Sequence, residues 1–215
     1  MGRRYILPTL KGTSAKFDSI RYYDDDEIIS WSNELSTNFN HKKEVFIMYI
    51  ETERLIIDEI QKEDKENYFI NISHDKEVLK TFICTYQEKI EDFNFERYLG
   101  RSDLFAIREK ESKKLIGIFV ECEVNKQNKT LEIGYGLGSR YWGKGYMTEV
   151  VKAMLSYYLN EAGYTTVYAS FFEENIASKR VMEKCDMEYS HTCYKELEYL
   201  GKERNLIYYK ISKKE

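Results

Sequence analysis

The chain has few cysteines and no paired metal-binding motif. None of its four cysteines, Cys84, Cys122, Cys185 and Cys193, belongs to a CxxC pair, whereas a structural zinc site normally shows two such pairs. His191 stands two residues before Cys193, but no second ligand pair accompanies them. We therefore expect ordinary thiols in a reducing cytoplasm and no metal site.

Long apolar runs and an excess of basic charge are also missing. No stretch approaches the roughly 20 apolar residues of a membrane-spanning helix, and MGRRYILPTL has too short an apolar segment for a secretory signal. The formal net charge of −4 argues against a protein that coats nucleic acid, since such proteins are usually basic. With 42% hydrophobic and 33% charged residues, the composition predicts a globular cytoplasmic protein without membrane or nucleic-acid partners.

Residues 1–47 and 48–215 differ in pattern. The first segment contains FDSIRYYDDDEIISWSNEL, which is typical of a strand followed by a capped helix, and shows no residues with evident chemistry. From Met48 onwards, MYIETERLIIDEI begins a regular series of predicted elements. We predict an N-terminal extension of unknown role at 1–47 and one main domain at 48–215.

Hydrophobic periodicity predicts the elements of the main domain. Strands are predicted at 54–60, 104–108, 115–124, 131–137, 165–172, 188–195 and 205–211. Helices are predicted at 62–73, 75–82, 88–99, 146–162 and 175–185. This order predicts an α+β fold with a central mixed, mostly antiparallel sheet of about seven strands. Helices flank the sheet, and one βαβ crossover spans residues 131–172.

Two groups of glycines precede the predicted helix at 146–162. Gly134, Gly136 and Gly138 alternate along a strand, so one of its faces is bare and another extended backbone can lie close to it. Gly143 and Gly145 allow the backbone to turn its N–H groups inward, where the helix adds unpaired amides and the positive end of its dipole. The pattern predicts a pyrophosphate site.

Two other phosphate-binding motifs do not fit this stretch. A nucleoside-triphosphate loop needs a serine or threonine directly after its Gly-Lys pair, whereas Gly145 follows Lys144. A dinucleotide-binding fold needs GxGxxG after the first strand and an acidic residue about 20 residues later, and GSRYWG has neither the spacing nor the position.

The motif Arg140-x-x-Gly143-x-Gly145 resembles the acetyl-CoA loop of the GNAT N-acetyltransferase superfamily. The stretch LEIGYGLGSRYWGKGYMTEVVKAML, the later NIASKRVMEK and the early ETERLIIDEI extend the resemblance over roughly residues 50–212. The whole looks like the branch that includes the ribosomal-protein alanine N-acetyltransferases. The resemblance implies a GNAT-like fold, acetyl-CoA as co-substrate and direct transfer of its acetyl group to a primary amine.

The resemblance also implies which residues hold acetyl-CoA. The backbone at 135–137 would pair with the pantetheine arm, and the loop at 140–145 with the start of the helix would hold the pyrophosphate. Asn175 would bond to the pantetheine, a role compatible with capping its own helix. The predicted cofactor-binding residues are Tyr135, Gly136, Leu137, Arg140, Gly143, Lys144, Gly145, Tyr146, Met147, Thr148 and Asn175.

Three residues are candidates for catalysis. Glu132 lies two residues before Gly134, on the same face of the strand, and is the first candidate for the general base. By resemblance, Glu198 matches a catalytic glutamate of the alanine acetyltransferase branch. Ser178 matches a serine proposed there as the acid that protonates the departing thiolate. A backbone N–H near Leu137 is expected to stabilise the oxyanion.

Two positions depart from the family pattern. Met182 stands where many GNAT enzymes have a tyrosine acid, and Asp186-Met187 stands where Gly-Phe is usual. Ser178, Cys193, Tyr194 or water are the substitutes for the acid. The loss of the tyrosine keeps open a different class of function, a non-catalytic acyl-CoA-binding sensor or assembly module.

The acceptor amine also stays open. An α-amino group has a pKa of about 8 and a lysine-type amine about 10.4, so a protein N-terminus needs less help from a base. The alternative acceptors are small amines such as an aminoglycoside or a polyamine. A homodimer is compatible with the sequence.

Overall fold

Residues 48–214 contain one mixed eight-stranded sheet. The computed structural model describes these residues, so the predicted extension at 1–47, with its predicted strand and helix, lies outside the described residues. The strands are β1 (Ile50–Glu51), β2 (Leu55–Glu59), β3 (Leu104–Glu109), β4 (Leu115–Asn125), β5 (Thr130–Leu137), β6 (Thr166–Phe172), β7 (Glu188–Tyr199) and β8 (Lys202–Ser212). Their order is β1-β2-β3-β4-β5-β6-β8-β7. The predicted fold class is confirmed, and β1 is the strand that the sequence prediction did not include.

One pair of neighbouring strands is parallel. β5 and β6 run in the same direction and are joined by helix α3 (Tyr146–Asn160), while the other described neighbours are antiparallel. This is the predicted βαβ crossover. It places the glycine loop between the end of β5 and the start of α3.

The two helices after the glycine loop lie where the sequence predicts them. Gly145, with a φ of 79°, is the N-cap of α3, and Gly163, with a φ of 82°, follows its last turn. Helix α4 (Ile176–Lys184) starts after Asn175, whose side-chain oxygen accepts a hydrogen bond from the Ser178 amide at 3.1 Å. Asp186, just beyond α4, has a φ of 59°, a conformation that glycine adopts more easily.

The sheet carries a hydrophobic core on each face. Along β3, Phe105 and Ile107 face the core beneath α3, whereas Leu104 and Ala106 face the second core. The second core is covered by the chain at 60–99, which includes the short helices α1 (Lys65–Tyr68) and α2 (Lys76–Leu79). Within residues 48–214, no helix is long and apolar enough to cross a membrane.

The predicted helix at 88–99 is wrong. This stretch is irregular apart from a 3-10 turn at Glu96–Tyr98. Phe93 and Phe95 both pack against Tyr68, with ring centroids 5.7 and 5.6 Å away. Residues two apart lie on different sides of a helix, so burying both rings on one partner disfavours a continuous helix over this stretch.

Candidate active site

The parallel strands β5 and β6 separate along their length. They pair from Thr130 opposite Thr166 to Ile133 opposite Ala169, and no pairing continues beyond that point. The strand ends that diverge line a cleft of about 530 Å³ between the sheet, α3 and α4. Because no strand within residues 48–214 pairs with β5 on this side after Ile133, its backbone edge is available to an extended ligand.

One end of the cleft is formed by the glycine loop and the start of α3. Gly143 and Gly145 have φ values of 76° and 79°, in the left-handed region that glycine adopts without strain. No side chain of residues 48–214 caps the first amides of α3. These amides and the helix dipole provide a site for a negatively charged group such as a phosphate.

Most of the predicted cofactor-binding residues line this cleft. Arg140 and Lys144 are outside the lining, and their charged groups lie over the ring of Tyr141, at 5.1 and 5.3 Å from its centroid. Trp142 lines the cleft and fixes the loop, because its indole N–H donates to the Leu137 carbonyl at 2.6 Å. The predicted residues in the lining are Tyr135, Gly136, Leu137, Gly143, Gly145, Tyr146, Met147, Thr148 and Asn175.

The bare face of the three strand glycines is filled by the chain itself. A Cβ atom at Gly136 would lie 3.3 Å from the Phe82 ring, one at Gly134 would lie 2.9 Å from Cys122 Sγ, and one at Gly138 would lie 3.0 Å from Asn71. The expectation that this face leaves room for another extended backbone is therefore corrected. The glycines let side chains of the neighbouring elements pack closely, and the open edge of β5 is the feature that suits a ligand.

A short segment after α2 crosses the cleft. The Asn175 side-chain N–H donates to the Thr81 carbonyl at 3.3 Å, while its oxygen caps α4. The Tyr199 hydroxyl, from the end of β7, donates to the Phe82 carbonyl at 3.1 Å. These two bonds tie residues 81–82 to both walls of the cleft. The Asn175 side-chain amide has two N–H groups, and since one donates to Thr81, the other is left for a ligand.

Ser178 lies in the cleft together with Tyr135, whose side chain had no predicted role. The Ser178 and Tyr135 hydroxyls are 3.0 Å apart, and either can donate. Burial raises the pKa of Tyr135 above its ordinary range, so its hydroxyl stays protonated. The pair provides a neutral hydrogen-bond donor on the α4 side of β5.

Glu132 lies on the opposite face of β5. Its carboxylate accepts a hydrogen bond from Ser170 of β6 at 2.9 Å. Burial is the largest cause that raises the pKa of Glu132, and the neighbouring Glu123 raises it further, while the Ser170 bond opposes the shift. A carboxylate with a raised pKa is a stronger base, which suits the predicted role.

A second cavity of about 290 Å³ adjoins the cleft at Glu132. Glu123 lies opposite Glu132 in the β4–β5 register. Aromatic side chains form another wall, where the His191 and Tyr208 rings stack 4.5 Å apart at 6°. No lysine or arginine of the described residues lines this cavity, whose wall consists of Glu123, Thr130, Leu131, Glu132, Tyr168, His191, Cys193 and Tyr208.

Three other candidates, and Met182 at the position of the usual tyrosine acid, lie elsewhere. Glu198 is exposed near the tip of the β7–β8 hairpin and does not line the cleft, so its position does not support the predicted catalytic role. Met182 is fully buried in the core beneath α3, and Tyr194 is 76% exposed. Cys193 lines the second cavity. Among the described residues, no group of three acidic, histidine or cysteine side chains is placed to hold a metal ion.

The open strand pair, the uncapped start of α3 and the adjacent half-buried carboxylate form a site suited to an acyltransferase. The profile of the family described as Acetyltransferase (GNAT) domain matches residues 54–188, and the chain belongs to this family.

Sequence and structure comparisons agree with this assignment. The chain is 27% identical over 152 residues to the uncharacterised N-acetyltransferase YoaA of Bacillus subtilis, covering 63% of this chain and 80% of YoaA. It is also similar to an acetyltransferase (GNAT family) from Bacillus anthracis, with a TM-score of 0.67, 28% identity and coverage of 77% and 98% of the two chains. The spermidine N-acetyltransferase from Vibrio cholerae, solved with CoA and spermine, shares the fold with a TM-score of 0.64 at 15% identity, over 74% of this chain and 96% of that one.

Several residues of the site had no individual signal in the sequence. Ser170 and Tyr168 alternate along β6 on the face that bears Glu132, and this alternation is the pattern that can find them. Phe82 and Tyr135 read as ordinary apolar positions in the sequence. Their positions depend on contacts between elements far apart in the chain, which spacing does not reveal.

Proposed function

We propose that this acyltransferase transfers the acetyl group of acetyl-CoA to the primary amine of a cationic acceptor. The observation that carries the proposal is the divergence of β5 and β6, with the uncapped start of α3 at one end and Glu132 at the other. An end suited to phosphate, an open strand edge and a half-buried carboxylate follow one another along a single cleft. The order matches the pyrophosphate, pantetheine and thioester of acetyl-CoA.

The chain's own groups fit this co-substrate. The amides at 143–148 and the α3 dipole would bind the pyrophosphate, since an uncapped helix start favours negative charge. The open edge of β5 at 135–137 would pair with the amide groups of the pantetheine, and the remaining Asn175 N–H would donate to it. Arg140 and Lys144 would act from outside the cleft by attracting the phosphates.

Acetyl-CoA, when bound, supplies an acetyl group activated as a thioester. Glu132, which lines both cavities, would take the proton that the acceptor amine loses as its nitrogen bonds to the acetyl carbon. On the other face of β5, Ser178 with Tyr135 would donate a hydrogen bond or a proton to the sulfur when its bond to carbon breaks. Base and donor thus flank one strand, on opposite sides of the transfer.

The second cavity supports a cationic acceptor. Two carboxylates lie directly opposite on neighbouring strands, an arrangement that is unfavourable unless a cation lies between or beside them. The rings of Tyr168, His191 and Tyr208 add aromatic surface, which attracts ammonium groups. The spermidine N-acetyltransferase of the same fold is compatible with this class. Lys210 lies opposite Tyr168 in the β6–β8 register. Its positive charge would disfavour acceptors whose cationic groups approach the β6–β8 edge of the cavity.

Thiol release tests the proposal. The purified chain would be incubated with acetyl-CoA and with polyamines, aminoglycosides or peptides that have a free N-terminus. Benzylamine, an amine with no other charged group, would be included for comparison. We expect CoA release with at least one polycationic acceptor and little with benzylamine. Binding of acetyl-CoA without turnover on any acceptor would instead indicate the sensor class. Absence of binding would contradict the proposed cleft.

A further inference from the structure

Arg54, from the start of β2, contacts the glycine loop from outside the cleft. Its guanidinium donates to the Lys144 carbonyl at 2.9 Å, and a Cβ atom at Gly145 would lie 3.6 Å from the same guanidinium. The guanidinium also lies over the Tyr146 ring, 4.7 Å from its centroid. One side chain thus touches three successive residues at the start of α3, although about 90 residues separate it from them in the chain.

Glu149 and Thr52 hold Arg54 in this position. The Glu149 carboxylate accepts from the Arg54 Nε at 2.7 Å and from the Arg54 backbone N–H at 2.8 Å. It also accepts from the Thr52 hydroxyl at 2.6 Å, and Thr52 is almost fully buried. The guanidinium makes three contacts, two to one Glu149 oxygen and one to the Lys144 carbonyl, so it has a defined orientation although 43% of the Arg54 side chain is exposed.

We infer that Arg54 is a positioning residue that orients the Gly145 amide towards the bound phosphate; this rests on the proposed function. A trans peptide is planar, so the Lys144 carbonyl and the Gly145 N–H point in opposite directions. Arg54 holds that carbonyl on its own side, and Arg54 does not line the cleft whereas Gly145 does. The Gly145 N–H is therefore directed away from Arg54. Glycine at a φ of 79° has little preference of its own, so an external contact is needed to select this orientation.

A competing account is that Arg54 only neutralises Glu149. Glu149 lies in the first turn of α3, where its negative charge is close to the proposed phosphate position. Removing Arg54 would then weaken phosphate binding by repulsion alone. The two accounts differ in the double variant Arg54→Met with Glu149→Gln, which has neither charge. In that variant the orientation of the Gly145 amide is still lost, whereas the repulsion between Glu149 and the phosphate is relieved.

Calorimetric titration with CoA and with pantetheine, which lacks the phosphates, tests the inference. For Arg54→Met we expect the Kd for CoA to rise about 10- to 100-fold, the range for a lost hydrogen bond to a charged group, with the Kd for pantetheine unchanged. Arg54→Lys should recover part of the affinity, because an ammonium can still donate to the Lys144 carbonyl. The double variant should remain weak.

Three results separate the possibilities. An equal loss of CoA and pantetheine affinity in Arg54→Met would show a general structural role and overturn the inference, as would full recovery in the double variant. Arg101→Met is the matched control, since Arg101 is also a half-exposed arginine paired to a carboxylate, that of Asp103. If the wild-type chain itself fails to bind CoA, the proposed function fails, and the result is distinct from a failure confined to Arg54.

Discussion

Glu132 is the residue where the two cavities meet, and its chemistry follows from its surroundings. It is half-buried, bonded to Ser170 and opposite Glu123, so its pKa is raised mainly by burial. A carboxylate in bulk water is a weak base, and the raised pKa makes Glu132 a stronger base towards the acceptor's proton. Its position on the strand was predictable from the two-residue spacing to Gly134.

Replacing Glu132 by Gln should lower kcat by about 10²- to 10⁴-fold, the usual contribution of a general base, with little change in the Kd for CoA. Glu121→Gln is a matched control. Glu121 is also half-buried with a pKa raised by burial and a hydroxyl partner, Tyr158, but it lines neither cavity. Normal turnover in Glu132→Gln would exclude the base role.

The pH profile gives an independent check on Glu132. The base must be deprotonated, so kcat/KM should fall as the pH drops through its pKa, which lies above the ordinary value for glutamate of about 4.3. We expect this acid limb in the wild type and its disappearance in Glu132→Gln. The alkaline rise from the acceptor amine should remain in both. An acid limb that persists in the variant would assign it to another group.

Glu123 separates recognition of the acceptor from chemistry. Replacing this exposed residue by Gln should raise the KM for a polycationic acceptor about 2- to 5-fold, since exposed ion pairs contribute up to about 1 kcal/mol. The kcat should change much less than the KM, because Glu123 is only a minor cause of the raised pKa of Glu132, and the KM effect should shrink at high salt because of screening. Glu111→Gln, exposed in the β3–β4 turn, is the control. Equal KM values in Glu123→Gln and Glu111→Gln would show that Glu123 does not contribute to acceptor binding.

The position of Glu198 in the fold could not be predicted from residue spacing. Its predicted role depended on an alignment through loops, and the β7–β8 register shifts between Tyr189 and His191 and again between Cys193 and Leu197. Each shift changes which face a side chain occupies, so the position of a residue near the hairpin tip cannot be derived by counting. By contrast, the β4–β5 register shift between Glu121 and Glu123 puts its extra residue on β4, so the alternation along β5 from Glu132 to Leu137 is uninterrupted and counting succeeds there.

At the scale of elements, the glycine loop can be separated from ordinary tight turns. Gly143, Gly145 and Gly163 all have left-handed φ values of 76°, 79° and 82°. Gly143 and Gly163 have nothing within 4 Å of an added Cβ, so both substitutions to Ala carry only the backbone penalty of about 1–2 kcal/mol. The two sites differ in that Gly143 lines the cleft, whereas Gly163 follows the far end of α3.

We therefore expect Gly143→Ala and Gly163→Ala to lower the melting temperature by similar amounts. Only Gly143→Ala should also weaken CoA binding, because a shift in the loop backbone turns its amides away from the phosphate. Differential scanning calorimetry and titration with CoA measure the two effects. Equal CoA affinities in the two variants would contradict the phosphate role of the loop.

Element prediction succeeded where one periodicity persisted. Helix α3 has fifteen residues with a continuous apolar stripe, and its length leaves no alternative to a helix. The stretch at 88–99 mixes both periodicities, because Phe93, Phe95 and Tyr98 are all needed to cover Tyr68. In that segment the packing of the second core decides the backbone, and such a tertiary demand is not visible in local spacing.

At the scale of the whole molecule, the sheet and its covering segment are joined by a buried ion cluster. Arg108 of β3 pairs with Asp58 of β2 at 2.6 Å, and with Asp64 through two hydrogen bonds, one of which is 2.8 Å long. It also donates to the Glu59 carbonyl at 3.0 Å. The fold class was predictable from the order of elements. This connection was not, because Asp58 and Asp64 read as ordinary surface acids in the sequence.

Replacing Arg108 by Met should destabilise the fold by about 3–5 kcal/mol, because the buried Asp64 and the largely buried Asp58 lose their counter-ion. Arg101→Met, at an exposed pair, should cost less than about 1 kcal/mol. Burial already raises the pKa of Asp58 to about 6, and loss of Arg108 raises that pKa further. The Asp58 carboxylate of the folded variant can then take up a proton at low pH, so the loss should be larger at pH 8 than at pH 5.

Urea unfolding at both pH values measures these free energies, with an unchanged m-value as the sign that the same surface is exposed. The triple variant with Asp58→Asn and Asp64→Asn added to Arg108→Met should regain part of the stability, since it removes the unpaired charges. If Arg108→Met were no more destabilising than Arg101→Met, the cluster would not join the sheet to its cover. A pH-independent loss would instead assign the effect to the packing of the arginine side chain, because apolar contacts do not titrate.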